Sequence, residues 1–549
     1  MGKLPESREL CLPSAAGIRS ITLQTLGWLC RVLTITTTNP ILCPVSSAAP
    51  VFLSLEMVSE VNVCVLGCTW CATTADRISI GQMTIDILPD DALIEIFSFY
   101  LVGASNHIEP WLPLVHVCRR WRSIVFASPR RLDVQVVYTT KRQVKVMLDT
   151  WPNLLIRILA RGFMGLPWHN KNHDKLIAAL GHTDRICQVQ LNQFESYELE
   201  RILPAMQKPF PALTSLAIAY RDILSPGATA VLPQAFLGGS THWQQLRSCH
   251  LSDVEVPGIW ELLLTANHLV TLSLWGLPHS MYTSPEGMAT CLSTMPNLES
   301  LSIGFRSPQS LHDWPDQPNR LLPPFTPVVL PSLTEFKFQV MSEYIEDFVS
   351  RIDVPLLDKV DITFFDQPIF HTSRLQDFLA RFEKFKAPSR GSVMFWGTSS
   401  IAFELELEPG CLSFGIACGE LGRQVSSMTQ LSGSSLCLAS ALKRLDVRWG
   451  FSLVLDRQDE AGNTQWLDLL RPFTGLKDLH LGKGFVLRIA LALQELPGES
   501  VTEVLPALQN LFIEGLELSG PIQEALGQFV AARQLSGLPV VIHSWDGRS

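Results

Sequence analysis

The chain has 549 residues, of which 47% are hydrophobic and 17% are charged, and its formal net charge is -9. Charged residues are scarcer than the roughly 25% usual in soluble globular proteins, which excludes disorder over most of the chain. The negative charge argues against a general nucleic-acid binder, which normally carries a basic domain or stripe. At roughly 100–200 residues per domain, the length predicts about three domains or one long repetitive one.

Residues 1–82 show no sustained hydrophobic period, and we predict a poorly ordered leader there; the alternative is sequence that does not belong to the mature protein. Their most apolar stretches, Ile21–Val32 and Val51–Thr69, do not predict membrane spans. The first is shorter than the roughly 20 residues that a span needs, and the second contains acidic side chains that are costly in a bilayer. No signal peptide is predicted either. We therefore expect an intracellular protein, in the cytoplasm, the nucleus or both, without a membrane partner.

Side chains that carry chemistry do not converge on a site. Cys64, Cys68 and Cys71 lie close together, but no fourth ligand follows at the spacing of a zinc site, and no strand–helix context supports a redox pair. His169 and His173 are four residues apart, but the polar residues between them predict a solvated turn. The phosphate loop, the nucleophile elbow and the zinc-protease helix are missing from the sequence. We predict no enzyme activity, no catalytic residue, no metal and no cofactor.

A helical domain is predicted over residues 83–132. Pro89 suits the first helical turn, where its missing N–H costs nothing, and Asp90 and Asp91 place negative charge where the helix dipole favours it. Apolar residues at helical spacing then predict a buried stripe, which consists of Leu93, Ile96, Phe97 and Tyr100.

A second helix is predicted over Trp111–Arg122, after a polar insertion at 103–110. Its spacing predicts a buried face made of Leu114, Val117, Cys118 and Trp121. A third segment, Ser123–Ser128, ends before Pro129, because proline disfavours helix in the residue that precedes it. Together the three segments predict a three-helix domain.

Two submotifs in this domain resemble the F-box, a helical motif that docks onto the Skp adaptor of SCF-type ubiquitin ligases. The first is Leu88-Pro89 followed by Ile96-Phe97, and the second is the Leu-x-x-Val-Cys-Arg-x-Trp-Arg pattern at 114–122. The resemblance covers residues 87–132. It departs from the common pattern at Asp90, where glutamate is usual, and in the polar insertion, which is a feature of fungal F-box proteins.

The resemblance implies docking onto the Skp adaptor and, through it, onto the cullin–RING core of the ligase. By that resemblance the adaptor-binding residues are Leu88, Pro89, Leu93, Ile96, Phe97, Leu114, Val117, Cys118 and Trp121. A helical unit this short cannot enclose all of its apolar residues, so it leaves an exposed patch of the kind that partners cover. The alternative is that the three helices simply pack against the C-terminal region.

The remaining chain, 133–549, repeats the pattern Leu-x-x-Leu-x-Leu at intervals of roughly 25–35 residues. In leucine-rich repeats the alternating end of this pattern forms a short parallel strand, with side chains alternately buried and exposed. Clear copies lie at 211–218, 267–274, 296–303, 331–338, 440–447, 474–481 and 506–513, and weaker copies lie near Leu154, Ile186, Leu246 and Leu356.

Segments between the copies, such as Val256–Thr265 and Tyr344–Ile352, predict helices on the outer face. The stretch 385–435 breaks the register, and we predict irregular or merged repeats there, with loops on one edge. The sequence thus predicts an α/β chain, in which a three-helix F-box precedes an irregular leucine-rich-repeat solenoid. The alternative is an ordinary α/β domain that happens to be rich in leucine.

The leading functional hypothesis is a substrate-recognition subunit of an SCF-type ubiquitin ligase. Its F-box would dock the adaptor, and its repeats would hold an unknown target protein near the catalytic partner. A second hypothesis is a non-ligase scaffold that mediates protein–protein interaction, with an F-box that controls only its own turnover. A hydrolase of unknown class is a third, which no converging set of catalytic residues supports.

Overall fold

The computed structural model describes residues 88–103, 109–138, 154–161, 170–221, 229–307, 326–386, 388–397, 399–407, 410–435, 438–450, 461–496, 501–515 and 520–546. The chain divides into two compact units, Met1–Gln135 and Val136–Ser549, whereas the sequence placed a boundary after residue 132. The predictions made for residues 1–82 and for His169 lie outside the described residues. None of the helices in the described ranges has the length and apolar character needed to cross a membrane.

The described part of the first unit is helical. Helix α1 spans Asp90–Gly103, α2 spans Leu112–Val117 and α3 spans Arg119–Ala127. Both aspartates lie in the first turn of α1 as predicted, but the helix begins at Asp90, so Pro89 precedes it by one residue and is not its first position. The continuous helix predicted over 111–122 is wrong, because the backbone at Cys118 is extended, with φ -154° and ψ 171°.

Cys118 separates α2 from α3 by capping the second of them. Its Sγ accepts a hydrogen bond from the backbone N–H of Trp121 at 3.4 Å, which satisfies one of the free N–H groups at the start of α3. The segment predicted as a separate helix, Ser123–Ser128, is therefore the second half of α3, which ends at Ala127, shortly before Pro129.

The second unit contains one long sheet. Its strands are β1 (Gln135–Tyr138, at the boundary between the units), β2 (Leu155–Arg161), β3 (Ile186–Phe194), β4 (Ser215–Tyr220), β6 (Ser248–Ser252), β8 (Thr271–Leu277), β9 (Ser300–Phe305), β11 (Glu335–Val340), β13 (Lys359–Phe365), β14 (Arg390–Phe395), β15 (Ser400–Glu406), β16 (Cys411–Ala417), β17 (Arg444–Trp449), β18 (Asp478–Leu481), β19 (Asn510–Glu514) and β20 (Val541–Trp545). Short parallel pairs join β5 (Ala230–Val231) to β7 (Val254–Glu255) and β10 (Val328–Val329) to β12 (Ile352–Asp353).

The strand order of the long sheet is β1-β2-β3-β4-β6-β8-β9-β11-β13-β16-β15-β14-β17-β18-β19-β20. From β2 to β13 each strand pairs in parallel with the next one of the long sheet along the chain. Such neighbour-by-neighbour order is what a stack of sequence repeats produces, because each repeat adds one strand beside the last.

Helices connect these strands. They are α4 (Asn170–Leu180), α5 (Ser196–Ile202), α6 (Ile259–Leu263), α7 (Pro285–Leu292), α8 (Ser342–Val349), α9 (Ser373–Ala380), α10 (Leu421–Ser435), α11 (Asn463–Leu470), α12 (Val486–Gln494) and α13 (Pro521–Leu535). Short 3-10 helices lie at Leu203–Met206, Phe236–Gly238, Ser240–Gln245, His279–Met281, Glu383–Phe385 and Ala439–Ala441. The helices predicted within Val256–Thr265 and Tyr344–Ile352 are thus present as α6 and α8.

The leucine pattern forms the core of the second unit. In one repeat Leu213 lies just before β4, Leu216 and Ile218 lie in it, and all three are buried. The middle position aligns across neighbouring strands as a continuous buried row, which consists of Leu216, Cys249, Leu272, Leu301 and Phe336. The weak copy near Leu356 is shifted by one residue, since Leu357 is buried while Leu356 is exposed. The second unit is an α/β fold with a predominantly parallel sheet, consistent with a leucine-rich-repeat-like solenoid.

The stretch 385–435 interrupts the parallel repeats, as the loss of register predicts, and does so with an antiparallel strand. Strands β14 and β16 run in the common direction of the sheet, and β15 lies between them and is antiparallel to both. β16 pairs in parallel with β13, and β14 pairs in parallel with β17. The sheet therefore continues without a gap, because one antiparallel strand lets the segment keep both of its outer strands in the common direction.

Candidate protein-interaction surfaces

The residues predicted to bind an adaptor separate into a buried and an accessible group. Leu93, Phe97 and Leu114 are buried, so they hold the helices together. The ring of Phe97 lies 4.7 Å from that of Trp121, which packs α1 against α3. The other six predicted residues are exposed or half-buried; they are Leu88, Pro89, Ile96, Val117, Cys118 and Trp121.

Two sequence predictions about burial are corrected here. Val117 is 57% exposed although it follows the buried Leu114 by three residues; it is the last residue of α2, where Leu114 and Val115 are the buried positions. Tyr100, predicted in the buried stripe of α1, is exposed, and Ile94 is buried in the stripe instead.

Aromatic side chains extend the accessible group along α1. Phe99 and Tyr100 are both about two-fifths exposed, at 42% and 41%. They follow Ile96 at spacings of three and four residues, so the three side chains lie along one side of the helix. The exposure of Phe99 was not predicted from the sequence, although its spacing of three residues from Ile96 was the available signal. These three residues with Leu88, Pro89 and Val117 are called the helical patch below.

An ion pair fixes the start of α1 against α3. Arg120 donates from Nη2 to Oδ1 of Asp90 at 2.7 Å and to the backbone carbonyl of Leu88 at 2.5 Å. Arg122 links α3 to α2 by donating to the backbone carbonyl of Val115 at 2.9 Å. Arg120, at an unspecified position of the second submotif, and Arg122, its last residue, therefore hold Leu88 and the end of α2 in place within the first unit.

The second candidate surface is the face of the long sheet opposite the buried leucines. Its residues align across consecutive strands in a central row, which consists of Gln190, Ala217, His250, Ser273, Ser302, Lys337, Asp361, Ser413, Glu404, Ser392, Asp446, His480, Phe512 and His543. From β3 to β20, the side chains of the row are mostly small or polar at first, then mostly charged, and finally aromatic.

Three charged side chains in the middle of the central row, Lys337, Asp361 and Asp446, are paired with opposite charges. Lys337 Nζ lies 2.5 Å from Oδ2 of Asp361 on the adjacent strand. Asp446 is 1% exposed and is contacted by Arg390 at 3.0 Å and by Arg444 at 3.0 Å. Burial raises the pKa of Glu404. The buried aspartate is stabilised because two guanidinium groups replace the water that it loses.

The aromatic end of the row lies beside an open cavity of about 530 Å³. The His480 and Phe512 rings stack with centroids 4.1 Å apart, and Phe512 and His543 stack at 4.8 Å. Trp545 meets His480 edge-on at 5.0 Å. The cavity is lined by Arg444, Asp478, His480, Phe512, Ser544, Trp545 and Asp546. This cavity was not predicted from the sequence. The available signal was Phe512, an aromatic residue between the last two apolar positions of its repeat.

The histidine considered as a metal ligand is a core residue. His173 lies in α4 and is fully buried, so the predicted solvated turn is wrong. Its Nε2 is 3.8 Å from Oε1 of Glu198, and burial lowers the pKa of the imidazole. Within the described ranges no group of three or more His, Cys, Asp or Glu side chains is arranged to hold a metal ion.

Comparisons with known proteins find likeness among solved structures. No family model matches the chain, and no curated protein matches it. Among solved structures, the chain is similar to the leucine-rich repeat-containing protein LegL7 from Legionella pneumophila, at 12% identity and a TM-score of 0.25. That likeness covers 74% of this chain and 99% of the other. The repeat architecture of the second unit therefore rests on its own strand register and buried leucines.

Proposed function

We propose that this protein is an F-box-type substrate-recognition subunit of an SCF-type ubiquitin ligase. The observation that carries the proposal is the helical patch, since Leu88, Pro89, Ile96 and Val117 of the two submotifs are accessible together with Phe99 and Tyr100. Exposed aromatic and aliphatic side chains of this kind are characteristic of protein-binding sites. The Skp adaptor, with the cullin–RING core behind it, is the proposed occupant.

The sheet face of the second unit is the proposed target-binding surface. Its central row includes accessible polar, charged and aromatic side chains, such as His250, Lys337 and Phe512, which give an extended partner chemically distinct contacts. In this role the chain performs no bond chemistry and needs no cofactor. It raises the effective concentration of the bound target near the catalytic partner.

Co-purification of the full chain with a Skp adaptor tests the docking step. We expect the Leu88→Ala, Pro89→Ala double variant and, separately, Val117→Lys to abolish recovery of the adaptor. Val117 is 57% exposed, so a lysine there places a charge in the docking surface without disturbing the core. Leu93→Ala is unsuitable for this test, because Leu93 is buried and its truncation would measure folding instead.

The matched control is Ile369→Lys, which places the same charge at a 62% exposed apolar position of the second unit. It should leave adaptor recovery unchanged, and the thermal midpoints of all variants should match that of the wild type. Undiminished recovery with both docking variants would refute adaptor binding through the helical patch.

A scaffold without ligase activity is the second candidate, and the accessible helical patch is compatible with it as well. Both functions predict adaptor binding, so they are separated by the fate of the partner bound to the repeats. A ligase receptor causes that partner to be ubiquitinated and to accumulate when this chain is removed. A scaffold leaves both the modification and the abundance of its partner unchanged.

A further inference from the structure

The cavity at the aromatic end of the central row has the composition of a cation-binding site. Trp545 contributes an aromatic ring and Asp478 contributes a carboxylate, whereas both faces of the Phe512 ring are covered by His480 and His543. Aromatic ring faces attract ammonium and guanidinium groups through their quadrupole, and nearby carboxylates add a direct charge attraction. Asp478 accepts a hydrogen bond from the neutral side-chain amide of Asn510 at 2.7 Å, which leaves its negative charge in place.

His480 supplies an independent indication that the cavity takes a ligand. It is 5% exposed and lines the cavity, and its Nδ1 has no hydrogen-bond partner among the described residues. A buried polar atom without a partner is unfavourable, so such atoms are usually satisfied by something that binds. Burial lowers the pKa of His480 to about 4, so at neutral pH the ring is uncharged and does not repel a cation.

The arginine that lines the cavity does not reverse this preference. Arg444 is held against the buried Asp446, with Nε 3.0 Å from Oδ1 and Nη2 3.4 Å from Oδ2. The second arginine on Asp446, Arg390, also lies 3.4 Å from Glu406. These two arginines are paired with two acidic groups, Asp446 and Glu406, and the lining retains the negative charge of Asp478.

The geometry points to a binding site for the cationic side chain of a lysine or arginine presented by a partner protein. The site is the cavity bounded by Asp478, His480, Phe512 and Trp545, called the aromatic-acidic cleft below. The inference rests on the proposed role of the sheet face in holding a target protein, and it names the chemistry of the residue that this end of the face recognises. It does not involve the helical patch.

Binding of small probes to the full chain tests the inference. The probes are Nα-acetyl-lysine methylamide, Nα-acetyl-arginine methylamide and the neutral analogue Nα-acetyl-norleucine methylamide, measured by saturation-transfer NMR and calorimetry at pH 7 and low salt. We expect at least one cationic probe to bind at least about fivefold more tightly than the norleucine probe, as expected for a cation–aromatic contact. Asp478→Asn and Trp545→Leu should each weaken that binding by at least about fivefold.

Asp361→Asn is the matched control, because it removes a carboxylate from the same central row that is paired with Lys337 and lies outside the cleft. It should leave probe binding unchanged. Equal binding of the norleucine probe, unchanged binding in Asp478→Asn, tighter binding of inorganic phosphate, or the absence of cationic binding would each overturn the inference. Adaptor recovery by Asp478→Asn should equal that of the wild type, so failure of the cleft and failure of adaptor docking are distinguishable.

Discussion

At the scale of single residues, a few buried polar groups also hold the second unit together. Arg533 in α13 is fully buried, and it donates to the backbone carbonyls of Val501 at 3.2 Å, Pro506 at 3.4 Å and Leu508 at 3.1 Å. Burial lowers the pKa of this guanidinium. One arginine thereby satisfies three buried or part-buried carbonyls of the segment that leads into β19.

Replacement of Arg533 by methionine should destabilise the protein. Methionine fills a similar volume but leaves the three carbonyls without their donor, so we expect the free energy of unfolding to fall by about 3 kcal/mol. Arg423→Met is the control, since the Arg423 side chain is 63% exposed and its ion pair with Asp366 should contribute less than about 1 kcal/mol. Chemical denaturation measures both, and equal effects of the two changes would contradict a capping role for Arg533.

His480 predicts a specific loss of stability in acid. Its folded-state pKa of about 4 is below the ordinary 6.5, so the unfolded chain binds the proton more tightly. The stabilisation is complete above pH 6.5 and is lost as the pH falls from 6.5 through 4, by up to about 3 kcal/mol. In His480→Phe, which keeps a ring beside Phe512, the fall in unfolding free energy between pH 7 and pH 4 should be smaller by up to that amount. Parallel pH profiles of variant and wild type would rule this out.

Sequence spacing predicted which leucines are buried but not the roles of polar residues. Leu-x-x-Leu-x-Leu identifies core positions because each strand alternates, and Leu216 and Ile218 follow that rule. Cys118 and His173 did not follow the predictions. Whether Cys118 continues a helix or caps the next one depends on a backbone turn, and the burial of His173 depends on packing around α4. Neither is encoded by local hydrophobic periodicity.

At the scale of elements, the segment β14–β16 shows what a broken repeat becomes. Its sequence loses the leucine register, and irregular or partly merged repeats with loops on one edge were predicted. The structure instead places an antiparallel strand, β15, between two strands that keep the common direction. Pairing partners that are far apart in sequence, such as β13 and β16, cannot be inferred from one sequence, because periodicity describes faces and not neighbours.

The turn into β16 depends on Gly410. Its φ is +125°, which side chains rarely allow, and an added Cβ would collide with the backbone oxygen of Asp358, which accepts from the N–H of Cys411 at 3.3 Å. Gly410→Ala should therefore lower the unfolding free energy by about 2 kcal/mol or more beyond the effect of Gly397→Ala. Gly397 is the matched control, because it lies between β14 and β15 at φ +65°, and an added Cβ there would meet open space.

Hydrogen exchange of the amides in β15 and β16 measures this difference. Gly410→Ala should speed exchange in both strands, since the collision is with the backbone to which β16 is anchored. Gly397→Ala should cause only the smaller loss expected from a left-handed alanine. Equal exchange rates in the two variants would show that the contact with Asp358 does not hold the segment in the sheet.

At the scale of the whole molecule, the long sheet distributes stability along the second unit. From β2 to β13 and from β17 to β20 each strand pairs with its neighbours in chain order. In such an array each repeat is stabilised by its own core and by the interfaces with adjacent repeats. Within this sheet the chain order is reversed only at β14–β16. There β13 pairs with β16, and β14 pairs with β17, so the three strands lie in the order β16-β15-β14 between β13 and β17.

This architecture predicts that damage to the core stays local. Leu479 and Leu216 occupy the same repeat position in β18 and β4, and both are fully buried. Truncation to alanine should cost about 3 kcal/mol at either site, because it removes buried methyl groups and leaves a cavity. Leu479→Ala should then speed hydrogen exchange in β17–β19 and leave β3–β6 protected, and Leu216→Ala should do the reverse. Each variant is the control for the other, since a single cooperative domain would lose protection evenly along the chain whichever leucine is removed.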